Sequence, residues 1–73
     1  MTLAEIRKRK LISQTELAMQ AGISQAYVCA LERGERKNPS ASVINSIARS
    51  LDIRASDVLQ LLDNREKEES RNA

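Results

Sequence analysis

Residues 14–34 read QTELAMQAGISQAYVCALERG, and the fold follows from how this stretch is punctuated. Ser13 stands just before it, and Glu16 follows Ser13 by three residues. That is a capping box, in which the hydroxyl and the carboxylate each satisfy a free backbone N–H at a helix start. The spacing predicts a helix of about two turns over 14–21, with Leu17, Ala18 and Ala21 turned inward. Gly22 supplies a left-handed residue to end it. Ile23 brings the chain back to the core, and Ser24 is placed to cap the next helix. That helix is expected over 25–33, with Val28 and Leu31 inward and Gly34 as its stop. Only about three residues join the two helices, so they must cross closely, and Ala18 offers a small contact residue.

Working outward, Thr2-Leu3-Ala4-Glu5 repeats the capping-box pattern and predicts a first helix over 3–10. Leu3 and Ile6 share one face, with Arg7 on its edge. The run Arg7-Lys8-Arg9-Lys10 falls in the last turn, where cations complement the helix dipole. That suffices for Lys8, while Arg9 and Lys10 are open to a phosphate contact as well. On the C-terminal side, Glu35-Arg36-Lys37-Asn38-Pro39 reads as a polar loop and Ser40 as a cap. Ile44, Ile47, Ala48 and Leu51 follow at i, i+3, i+4 and i+7, the clearest amphipathic pattern in the chain. They predict a helix over 41–51, broken at Asp52. Ile53 anchors the connection to a fifth helix over 56–62, which presents Val58, Leu59, Leu61 and Leu62. From Asp63 on, DNREKEESRNA holds no large apolar residue. A segment that cannot bury apolar surface is expected to stay disordered, so the chain divides into a domain, 1–62, and a charged tail, 63–73. Strand-like alternation is absent, and the expected fold class is an all-α, compact five-helix bundle.

Composition narrows the function classes. Seventy-three residues make one small domain, which buries only about 60% of the surface its unfolded chain exposes. One cysteine and no histidine leave no intrachain disulfide and none of the common zinc sites, and suit a reducing, cytoplasmic setting. No metal or cofactor is expected. No apolar run approaches the roughly 20 residues of a membrane span, and the first ten residues lack the apolar centre of a signal peptide. Without a histidine, a Cys–His pair, a glycine-rich phosphate loop or a carboxylate pair in a cleft, no enzyme is expected. Tyr27 is the single aromatic residue, so stacking of several bases on aromatic rings is not available. Charge is uneven: residues 1–37 carry seven Lys/Arg against four Asp/Glu, and residues 38–73 five against six. The N-terminal half is the better match for an anionic partner.

The outward face of the 25–33 helix is unusual. Gln25, Ala26, Cys29, Ala30 and Arg33 lie along it, in place of the Glu/Lys mixture of an ordinary solvated face. A helix that enters the DNA major groove needs such a surface, with polar reach near its start and little bulk behind. Gln14, Leu17, Ala18, Gly22, Ser24, Val28, Leu31, Glu32 and Gly34, followed by Pro39, stand at the spacing of the phage repressor and Cro family. Residues 3–62 resemble this xenobiotic-response-element (Xre) type of helix-turn-helix domain. The resemblance implies a five-helix bundle that binds double-stranded operator DNA as a homodimer. It implies base reading by Gln25, Ala26 and Ala30, phosphate contacts by Gln14, Tyr27 and the 33–38 loop, and an ion pair between Arg7 and Glu32. Two positions depart from the family's usual glycine: Leu11 after the first helix and Asp52 after the fourth. A left-handed Leu11 costs about 1–2 kcal/mol, whereas Asp adopts that conformation more readily.

Each assignment has a plainer counterpart. Gln25 suits a bidentate contact to adenine N6 and N7, and Ala26 and Ala30 suit thymine methyl groups; Gln25 could equally be an ordinary exposed glutamine. Arg33, Arg36, Lys37 and Asn38 read as a phosphate clamp or as a solvated loop with Glu35 as local partner. Cys29 reads as a small filler. Ile53, Val58, Leu61 and Leu62 read as a dimer interface or as closure of the domain's own core. The function expected from all this is a sequence-specific DNA-binding transcriptional regulator, a repressor or autoregulator on an inverted repeat. The alternative is an antitoxin-like or other protein-interaction module of the same fold, with an unidentified protein partner.

Overall fold

In the computed structural model, residues 1–35 and 38–72 are described for their backbone, and side chains are described up to Asp63. Among the described residues there are five helices: α1 Leu3–Arg9, α2 Gln14–Ala21, α3 Gln25–Arg33, α4 Ala41–Leu51 and α5 Ala55–Asn72. The first four begin on a Thr or Ser whose hydroxyl accepts a backbone N–H three residues on. Thr2/Glu5 and Ser13/Glu16 form both halves of the capping box. At the start of α5, Asp57 takes the part that Glu5 and Glu16 play, accepting from the backbone N–H of Arg54 three residues back at 3.1 Å and from its guanidinium.

The first four helices also stop alike. Leu11, Gly22, Gly34 and Asp52 are left-handed, with φ of 59°, 72°, 79° and 57°. After each, the next backbone N–H donates to a carbonyl five residues back: Ile12 to Arg7, Ile23 to Ala18, Glu35 to Ala30 and Ile53 to Ala48. This is the Schellman closure, which satisfies carbonyls that a helix end would otherwise leave without donors. Leu11 and Asp52 therefore make the same turn as the glycines.

Three helix bounds differ from the expectation. Lys10 is the cap of α1 rather than its last residue. More significantly, α5 starts at Ala55 and continues to Asn72 instead of ending at Leu62. No Gly or Pro interrupts 63–72, and its Glu, Lys and Arg are favourable helix residues, so the backbone meets no stop signal where the apolar pattern ends. The side chains of the tail beyond Asp63 lie outside the described residues.

The core is aliphatic. Leu3, Leu17, Val28, Leu31, Ile47, Leu51 and Val58 are essentially sealed, with Ala18, Ala21, Ile44, Ala48 and Leu61 around them. α2 packs on α3 and α4, α4 packs on α5, and α5 also touches α1 and α3. α3 is thus gripped along one side, with its other side outside the bundle. No described helix is long and apolar enough to cross a membrane.

Candidate nucleic-acid interface

Local chemistry fixes where α3 starts. Ser24 Oγ accepts the Tyr27 backbone N–H at 3.0 Å, and the left-handed Gly22 turns the chain into that cap. Val28 and Leu31 then anchor the helix in the core. Gln25 and Ala26 are exposed, while Cys29 and Ala30 are half-buried. Arg33 closes the face, exposed and loosely paired with Glu35 at 3.9 Å. An exposed pair of that length contributes little, so the Arg33 guanidinium is held only weakly in place. Nine residues make α3 about 13 Å long, the height of about four stacked base pairs.

A buried polar cluster sets the angle at which α3 is held. Arg7 Nε donates to Glu32 Oε2 at 2.7 Å, and Arg7 Nη2 to Glu32 Oε1 at 3.3 Å. Both side chains are only 8% exposed. The third guanidinium nitrogen, Nη1, donates to the Ile12 carbonyl at 2.8 Å, which pins the turn that contains Leu11. Gln14 Nε2 donates to Glu32 Oε1 at 2.8 Å. The planar guanidinium fork suits this role, because it serves a carboxylate and a carbonyl in fixed directions. No buried side-chain nitrogen or oxygen among the described residues is left unsatisfied.

The remaining site residues divide. Tyr27 is half-buried and packs against the core cluster, with its backbone held by Ser24. Asn38 is exposed in the loop before the Ser40 cap. Arg36 and Lys37 lie outside the described residues. Val58 and Leu61 correct the interface expected for α5: they are 0% and 8% exposed within the single chain, so their surface is used in its own core. Ile53 and Leu62 are half-buried, and Leu59, on the outer side of α5, is 55% exposed. Sequence reasoning missed two members of the polar cluster, the Ile12 carbonyl and the Gln14 side chain. A backbone carbonyl has no signature in sequence, and the Gln14–Glu32 contact spans two helices.

A family model described as helix-turn-helix matches residues 3–58. The chain belongs to this helix-turn-helix family, of the phage-repressor (Xre) type. It is 33% identical over 67 residues to the HTH-type transcriptional regulator SinR of Bacillus subtilis, covering 92% of this chain and 58% of that protein. It is 37% identical over 54 residues to the immunity repressor protein of Bacillus phage phi105, covering 74% of this chain and 37% of the repressor. The HTH-type transcriptional regulator SlrR of Bacillus subtilis is 36% identical over 47 residues, 64% of this chain and 31% of the relative. The chain thus spans less than two thirds of the length of each of these relatives.

Proposed function

We propose that this helix-turn-helix chain is a DNA-binding transcriptional regulator, a repressor or autoregulator that places α3 in the major groove of an operator. The observation that carries this reading is the contrast between the two sides of α3. One side is fixed by Val28, Leu31 and the Arg7–Glu32 pair. The other offers Gln25, Ala26 and Ala30 with no carboxylate among them, a face that meets phosphate-lined DNA without repulsion. Similarity to an immunity repressor and to SinR supports the same reading. Gln25, Ala26 and Ala30 read bases in this proposal. Gln14, Tyr27, Arg33, Arg36, Lys37 and Asn38 grip phosphates, which sets affinity without sequence preference.

The operator is an inverted repeat bound by two copies in this reading, since a two-fold pair of recognition helices addresses half-sites one DNA turn apart. With Val58 and Leu61 in the core, the apolar surface left for the second copy is Leu59 with Ile53 and Leu62. The regulator acts in the cytoplasm, where its DNA lies. The test is a mobility-shift titration of the chain on a random duplex pool across salt concentration. The expected result is binding at low salt that weakens linearly in log–log form as salt rises. Absence of measurable binding to any duplex at low salt refutes the proposal.

A further inference from the structure

The angular position of Arg33 on α3 separates it from the other cations of the interface. At about 100° per residue, Arg33 lies about 700° beyond Ala26, which returns it to within about 20° of that residue's direction. On the same basis it stands about 60° from Ala30. Arg33 is therefore in the middle of the outward stripe, and not at the edges that would meet the walls of a groove. Long helical side chains lean back toward the helix start. The turns over which Arg33 leans carry Ala30 and Ala26, whose methyl groups leave room for a guanidinium. Its tether is slack: the side chain is 65% exposed, and its ion pair with Glu35 spans 3.9 Å. So exposed and long a pair yields at little cost, which leaves the side chain free to turn from Glu35 onto the alanine stripe.

We propose that Arg33 reads a guanine: its guanidinium lies along Ala30 and donates two hydrogen bonds to guanine O6 and N7 in the major groove. Guanine is the base with two acceptors on that edge, and the planar fork matches them. This rests on the DNA-binding reading above and moves Arg33 from the phosphate grip to base reading. It gives the stripe a pair of charged donors that Gln25 and the two alanines do not supply. The distinction is measurable. A phosphate contact strengthens binding to all sequences alike, whereas a base contact sets the preference at one position of the site.

The experiment uses duplexes that the wild-type chain selects from a random pool, each compared with the same duplex in which one guanine pair is replaced by an adenine pair. Wild type, Arg33→Ala and Arg33→Gln are titrated on both across salt, with thermal melting in parallel to confirm that the variants fold alike. At one guanine of the half-site, wild type is expected to prefer guanine by about tenfold or more, the worth of one bidentate contact. Arg33→Ala abolishes that preference and leaves those at other positions intact. Arg33→Gln shifts it toward adenine, whose N6 and N7 suit an amide. Losses in Arg33→Ala that are equal on every duplex, with the slope of log affinity against log salt lower by about one, reduce Arg33 to a phosphate contact and overturn the assignment. A selected site with no guanine whose advantage depends on Arg33 overturns it too. If the wild-type chain binds no duplex, the DNA-binding reading itself falls and the assignment with it, a result distinct from a uniform loss in the variant.

Discussion

Leu11 and Gly22 occupy equivalent turns, and exchanging their residue types tests whether backbone strain is stored in the first of them. Leu11 is left-handed at φ 59° and its side chain is 89% exposed, so replacing it with glycine removes almost no packing. The strain relieved is about 1–2 kcal/mol. Against this stands the greater freedom of glycine in the unfolded chain, about 0.4–1 kcal/mol. Leu11→Gly is expected to stabilise the domain by about 0.5–1 kcal/mol, the difference of these two terms. For a domain of this size that raises the melting temperature by about 2–8 °C. Gly22→Ala is the reciprocal change. A Cβ there meets nothing within 4 Å, so only backbone strain is added, and a fall of similar size is expected. Circular-dichroism melting of the two variants and wild type decides the matter. A Leu11→Gly variant that melts at or below wild type, while Gly22→Ala still destabilises, refutes the argument, because the Leu11 side chain would then supply a stabilising contact that its exposure denies.

The other predictions concern the polar cluster, the reading face and the capping carboxylates. Glu32→Ala leaves Arg7 as an uncompensated buried charge and should cost about 3–5 kcal/mol; urea denaturation showing wild-type stability would count against a structural role for the pair. Gln25→Ala should lower the preference for the selected duplex by about 1–3 kcal/mol, the worth of one bidentate base contact, with its melting temperature unchanged; an unaltered preference assigns the reading elsewhere. Glu5 is held below the ordinary carboxylate range by its hydrogen bonds to the Thr2 side chain and backbone, and Asp57 by those to the Arg54 side chain and backbone. Each is more acidic folded than unfolded, so its stabilisation is present above the unfolded value and lost as pH falls through the folded one. Melting temperature should therefore drop on acidification below about pH 5, less steeply in Glu5→Gln; identical profiles would show that this cap carries none of the dependence.

Much of this fold was legible because helix ends are coded locally. Ser13, Ser24 and Ser40 marked starts, and Gly22 and Gly34 marked stops, so α2, α3 and α4 have the bounds that the residues imply. The start of α5 was less legible because Arg54 is no capping residue; the cap comes from Asp57 reaching back. Its end was misplaced for a different reason: apolar periodicity reports where a helix carries apolar residues, and the backbone of α5 continues past the last large one, Leu62. Val58 and Leu61 show the converse limit. An apolar face can be recognised in sequence, but whether its surface is used by the same chain or by a second one depends on which helices pack on it. In the candidate site, Gln25 and Ala26 were placed correctly on an exposed face by helical spacing alone, while the Gln14–Glu32 contact needed the tertiary structure.

In the proposed DNA-binding reading, the cluster around Arg7 also bears on how a face with few hydrogen-bonding groups can be selective. A buried ion pair adds little net stability compared with apolar packing, and in so small a domain that is a poor use of core volume if stability were its purpose. What it does supply is direction: two nitrogens of the Arg7 guanidinium hold Glu32 on α3 and the third holds the Ile12 carbonyl in the α1–α2 turn, so the group cannot rotate without breaking a contact. α3 carries Gln25 and two alanines where other faces could carry several donors. Bidentate contacts and methyl contacts both lose strength within small displacements. If α3 reads bases as proposed, a face with so few groups depends on how rigidly it is presented, and the orientation of α3 by Arg7, Glu32 and Gln14 serves its selectivity as well as its folding.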